Sequence, residues 1–144
     1  MNILYVAPEV RTTLPVARWT TSELILRMQN NESKADITCA LEAHCIFGIE
    51  KSDTGVVSDF PVWQFIWPVP YLIQKVLPHL SVKPGSEIHI FWNVQRDELN
   101  ELSPAEVLAG MPYETREFVD VCQKKYMIQT NQERIKRVLS VVGT

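Results

Sequence analysis

Three cysteines and three histidines are the first side chains of this 144-residue chain to weigh as nucleophiles, bases or metal ligands. Cys39 and Cys45 lie six positions apart and cannot form a Cys-x-x-Cys redox or zinc pair, and Cys122 is remote from both. Free cysteine is among the most buried residue types, so all three read as small hydrophobes. His44 falls on an apolar helical stripe and reads as a core or boundary histidine. His79 follows Pro78 near a helix end, where an imidazole interacts favourably with the helix dipole. His89 sits between Ile88 and Ile90 and faces outward if they face inward. The carboxylate pairs Asp97-Glu98 and Glu114-Glu117 read as solvated surface. The phosphate-cradling G-x-x-x-x-G-K-[ST], the dinucleotide G-x-G-x-x-G, the nucleophile elbow G-x-S-x-G and the zinc-binding H-E-x-x-H do not occur. No catalytic, cofactor-binding or metal-ligating set follows. The expectation is a protein that acts by binding, with a small enzyme whose cleft is assembled across two lobes as the weaker alternative.

Charge narrows the partner. The 14 Lys and Arg against 17 Asp and Glu give a formal net charge of −3, which does not advertise nucleic-acid binding. The balance is uneven: residues 1–59 and 60–110 are acidic, and only residues 111–144 are basic. Lys124, Lys125, Arg134, Lys136 and Arg137 are where attraction to an acidic partner would sit. The opening Met1 to Pro8 lacks the basic start and apolar length of a signal peptide. The apolar stretch Phe60 to Ile73 is broken by Pro61, Pro68 and Pro70 and is too short to span a bilayer. The odd cysteine count reads as reduced thiols, and together these features imply a cytoplasmic protein with no membrane partner.

These side chains must be positioned by short elements. Residues 1–19 read as an extended arm. Thr20 with Glu23 has capping-box spacing and predicts a helix from about Thr21 to Gln29. Asn30 to Ser33 is turn chemistry with Ser33 as an N-cap. Ile37, Ala40, Leu41, His44 and Cys45 then form an amphipathic stripe ending near Gly48. Ile46 to Glu50 and Gly55 to Phe60 flank the polar loop Lys51-Ser52-Asp53-Thr54 and predict a hairpin. This helix, turn, helix, hairpin order is shared by compact winged helix-turn-helix modules. Leu72, Ile73, Val76, Leu77 and Leu80 are spaced for one buried helix face after Pro70, with Pro78 bending its end. Residues 87–95 read equally as strand or helix. Ser103-Pro104-Ala105-Glu106 with Gly110 brackets a short helix. A longer helix is expected from about Pro112 to Met127. A final one covers residues 131–142, with Ile135, Val138, Leu139 and Val142 inward and Arg134 and Arg137 at its edges.

Four stretches together resemble MbcA/ParS/Xre-type antitoxins: Thr21-Ser22-Glu23-Leu24 with its helical stripe; Phe60-Pro61-Val62-Trp63-Gln64-Phe65; Phe91-Trp92-Asn93-Val94 with Leu99; and Leu102-Ser103-Pro104-Ala105-Glu106-Val107-Leu108-Ala109-Gly110. In that family a small helical DNA-binding part precedes an "FPAWQF"-like segment, a "W-L…L-x-G-x-[TS]-P-x-E-x-L" stretch and a terminal helix. The likeness covers about residues 16–120. It departs at Glu101-Leu102, where the family has its glycine, in the acidic second helix, and in the additional residues 121–144.

The resemblance implies a bacterial, non-enzymatic antitoxin-like protein that pairs with a toxin, often a NAD-consuming RES-type enzyme, and represses transcription of its own operon as a homo-oligomer. It places Trp63, Gln64 and Phe65 at the core and interface, and the Pro104 to Gly110 helix near the toxin. The expected fold class is mainly α with a small β-hairpin. A helix-turn-helix-like part over residues 1–60 would precede a helical toxin-binding or dimerisation domain over 61–144. DNA would be met by Lys34, Lys124, Lys125, Arg134 and Arg137, and a protein partner by Trp63, Phe65, Trp67, Pro104, Glu106 and Leu108. The second helix argues against DNA readout, because Asp36 and Glu42 repel phosphate. The other reading is an interaction or structural module without DNA or toxin binding.

Overall fold

The computed structural model describes residues 11–28, 34–51 and 54–143. The architecture is mainly α with a small antiparallel sheet, as expected. In chain order it runs β1 (Arg18–Thr20), α1 (Thr21–Arg27), α2 (Lys34–Glu42), β2 (Ile49–Glu50), β3 (Val57–Pro61), α3 (Val69–Ile73), α4 (Gly85–Asn93), α5 (Pro104–Ala109), α6 (Val121–Met127) and α7 (Asn131–Ser140), with three short 3-10 turns. The expected hairpin is β2–β3, and β1 adds to its far side in the order β1-β3-β2. Residues 1–10 of the expected arm, Ser33 and the loop tip at Ser52-Asp53 lie outside the described residues. No helix among the described residues is long and apolar enough to cross a membrane.

The N-terminal signals were read correctly at α1 and α5. Thr20 accepts from the Glu23 amide at 3.2 Å while Glu23 accepts from the Thr20 amide. Ser103 and Glu106 repeat the arrangement, and Gly110 closes α5 at φ 71°. Residues 87–95, open from sequence, lie largely in α4.

Three expected helices need correction, and the cysteines read as buried hydrophobes are not buried: Cys39 and Cys122 are exposed and Cys45 is partly so. Helix α2 ends at Glu42 rather than near Gly48, because His44 takes φ 57° and Cys45 N–H reaches back to Ala40 C=O at 3.0 Å, a Schellman-type stop. His44 is consequently exposed and off the stripe. The single helix expected through Leu80 is broken into α3 and a 3-10 turn at Leu77–Leu80, since Pro78 has no N–H to offer and its ring crowds the preceding turn. The five apolar positions named for it are nevertheless all buried. The long helix from Pro112 contracts to α6. Residues 112–114 pair instead with the chain around Leu14, through Leu14 N–H to Pro112 C=O at 2.8 Å and Glu114 N–H to Leu14 C=O at 2.9 Å. Asp120 then caps α6 in a box with Gln123.

Two apolar clusters fill the interior. The smaller gathers Leu24, Met28, Ile37, Ala40, Ile46, Phe60 and Phe65 from α1, α2 and the hairpin. The larger runs from Leu14 and Phe47 through α3, α4 and α5 to Val138 and Val141. Gln64 is buried near their junction: its Oε1 accepts from Phe47 N–H at 3.0 Å and its Nε2 donates to Phe47 C=O at 2.8 Å. A side-chain amide thereby satisfies both polar groups of a residue that has no strand partner.

Helix α4 docks on the hairpin through glycine. A Cβ at Gly85 would come within 1.8 Å of the Gly48 carbonyl oxygen, so only glycine permits this approach. The Gly85 amide is received by Glu50 Oε1 at 2.9 Å, a carboxylate from β2 serving the N-terminus of a helix 35 residues away.

Candidate functional site

A groove of about 600 Å³ opens between β1, α4, α5 and the irregular segment 111–120. A continuous polar chain lines it. At one end the Arg18 guanidinium stands 3.2 Å from His89 Nε2. Guanidinium only donates, so Nε2 is the acceptor in this contact. Burial, and then the neighbouring Arg18 charge, hold His89 below its ordinary range, so it is neutral near pH 7. One helical turn on, Asn93 Nδ2 donates to the His89 carbonyl at 2.8 Å, and Asn93 Oδ1 accepts from the Tyr113 hydroxyl. Burial, reinforced by the charge of Glu106, raises the Tyr113 hydroxyl above its usual range, so it remains a donor.

Glu106 anchors the other end. It is 1% exposed, and its carboxylate receives Arg116 Nη2 and Nε at 2.7 Å each, Tyr113 N–H at 2.9 Å, and the Ser103 N–H and hydroxyl at 3.1 Å. Burial alone would raise its carboxyl. The hydrogen bonds from Arg116, Ser103 and Tyr113 outweigh that and hold it below the usual carboxylate range. Arg116 is correspondingly raised, chiefly by its hydrogen bonds to Glu106. A bidentate pair of this kind fixes the 111–120 wall against α5.

Trp63 completes the wall. It is 1% exposed, and its indole N–H has no acceptor among the described residues. Trp92 shares this condition, but it is not part of the groove. Among the described residues no group of three or more His, Cys, Asp or Glu is arranged to hold a metal ion.

The residues named from sequence are distributed unequally. Trp63, Phe65, Pro104, Glu106 and Leu108 are interior, Trp63 and Glu106 as parts of the groove; Trp67 is 47% exposed and packs edge-on against Tyr71, itself half exposed. Lys34, Lys124 and Lys125 are exposed on α2 and α6. Arg134, expected at an edge of α7, is buried and donates to Gln129 C=O at 2.6 Å and Asn131 Oδ1 at 2.7 Å. Arg137 lies 3.8 Å from the Tyr126 ring centroid. The structure therefore does not bring the five basic residues together as one free surface. Arg18, His89, Asn93, Tyr113 and Arg116 were missed, because the groove forms from segments up to 98 residues apart. Its one legible element was the Ser103–Glu106 capping box.

No protein family, curated protein or solved structure matches the chain.

Proposed function

We propose that the chain is a non-enzymatic, antitoxin-like binding protein whose partner is a protein toxin. The observation that carries this reading is Glu101. It occupies the position at which the antitoxin pattern L-x-G-x-[ST]-P-x-E-x-L has glycine, and it holds φ 65°, the left-handed backbone that glycine adopts without strain. The sequence departs from the pattern while the backbone keeps the conformation the glycine would supply. The arrangement of β1, α1, α2 and the hairpin, leading directly into Phe60–Phe65, adds support.

Homo-oligomer formation belongs to the same proposal. Trp67 and Tyr71 on one side, and Ile90 on α4 with Val94 just past its C-terminal end, are large apolar side chains left about half exposed. Sedimentation across micromolar concentrations should report more than one protomer, and Trp67→Ala with Tyr71→Ala should shift the mass downward. A protomer mass throughout rejects this part.

Co-expression with the product of the adjacent reading frame tests the central claim: the two should co-purify, and the neighbour alone should arrest growth. Failure of both favours an interaction module without a toxin. The acidic outer face of α2, with Asp36 and Glu42 exposed beside Lys34, favours such a module with respect to DNA. Any DNA contact would fall on Lys124 and Lys125. Gel shifts on the gene's own upstream region should then weaken on Lys124→Glu with Lys125→Glu.

A further inference from the structure

We infer that the groove beside β1 is a binding site for a monocarboxylate carrying one apolar group, recognised by the Arg18 guanidinium with the Trp63 indole N–H as second donor. This goes beyond the antitoxin-like reading and stands independently of it.

The volume of about 600 Å³ is that of a small-molecule site. Of the two arginines lining it, Arg116 is fully engaged by Glu106, whereas Arg18 is exposed and has no carboxylate partner among the described residues. Its contact with His89 uses one of five N–H donors, which leaves the guanidinium fork available for a carboxylate. Because His89 is neutral, it orients Arg18 without competing for the anion. Trp63 lines the groove and supplies a buried indole N–H with no acceptor among the described residues, a condition that a ligand oxygen would relieve.

The remaining lining sets the class. Val16, 52% exposed, and Phe118, 75% exposed, present apolar surface at the mouth, so the ligand needs an apolar body as well as a charge. Glu117 stands on the same wall as Phe118, and Glu106 is already neutralised by Arg116. One arginine with no carboxylate partner among the described residues, with Glu117 in the same lining, accommodates a single negative charge and disfavours a phosphate dianion.

The test uses the full chain labelled with ¹⁵N and titrated with phenylacetate, phenylacetamide and inorganic phosphate. The Trp63 indole resonance is followed, identified by its loss in Trp63→Phe. Phenylacetate should shift it saturably, while the amide and phosphate should bind at least tenfold more weakly. Arg18→Met should weaken phenylacetate at least tenfold with an unchanged melting temperature. Because Arg18 is exposed, calorimetric titration of this variant decides the matter even if Trp63→Phe fails to fold. Acetyl-Ala-Ala-Phe with a free C-terminus, against its C-terminal amide, separates a chain terminus from a free acid as the source of the carboxylate. Either acid binding in preference to its amide supports the site. Absence of a saturable shift with both acids at millimolar concentration, equal binding of the amides, or undiminished binding by folded Arg18→Met overturns it.

Discussion

The smaller core, built by α1, α2 and the hairpin, and the larger one behind it are stabilised differently. Apart from Gln64 at the junction, the first buries only apolar side chains. The second shares its interior with Ser103, Glu106, Gln123 and Arg134. Helices of five to ten residues leave up to four amides unpaired at the start and four carbonyls at the end, and in the larger core several of these ends are buried. Polar side chains from elsewhere must satisfy them. Glu106 serves Ser103 and Tyr113, Arg134 serves Gln129, and Gln123 Nε2 donates to Asn100 C=O at 2.9 Å. Two cores in one small chain thus rest on different chemistry: area removed from water in one, paired charge and backbone satisfaction in the other.

The contrast predicts unequal responses. Glu106→Ala should cost the most, about 3–5 kcal/mol in urea unfolding at neutral pH, since it strands the Arg116 charge and the amides of Ser103 and Tyr113. Its pH dependence follows from a folded carboxyl held below its ordinary 4.5. The unfolded state binds the proton first, so this stability is present above about pH 4.5 and is lost as pH falls toward the folded value. The acid loss should be blunted in Glu106→Gln; an unchanged acid profile would remove the charge from the account.

Leu24→Ala, in the apolar core, should cost about 3 kcal/mol by leaving a cavity, with the parent's pH profile retained. A loss that grew or shrank with acid would break the distinction between the cores. Gly85→Ala attacks the joint between α4 and the hairpin and should cost about 2 kcal/mol, with faster amide exchange in residues 46–50 than in α7. Equal protection of the two segments would show that the joint is slack. Glu101→Gly should have the smallest effect and the opposite sign. Relief of left-handed strain, less the added freedom of the unfolded glycine, stabilises by about 0.5 kcal/mol. Destabilisation would remove the backbone support for the antitoxin resemblance.

Where a local chemical reason existed, the elements were legible. Thr20 with Glu23, Ser103 with Glu106, and Gly110 act within four residues of themselves, and the structure keeps each. The apolar positions from Leu72 to Leu80 were also correct as burial, although the helix through them was not, because periodicity reports a buried face and not continuity. The errors at His44 and Pro112 share another cause. A helical pattern continues in sequence, but a left-handed stop in one case and pairing with Leu14 in the other provide better partners for the backbone. The groove was the least legible part. Arg116 carries no local signal, and only folding places it on Glu106.

By itself the sequence determined a mainly α chain with a hairpin, the caps of its short helices and the apolar positions that must leave water. Those depend on propensity, spacing and hydrophobicity, which act over a few residues. Tertiary structure decided that Arg134 is buried, that Glu50 caps α4, and that Arg18, Trp63, His89 and Arg116 line one groove. Arg134 donates to Leu108 C=O, Glu50 receives the Gly85 amide and Arg116 pairs with Glu106, partners ten or more residues apart, and only the folded arrangement specifies such pairs.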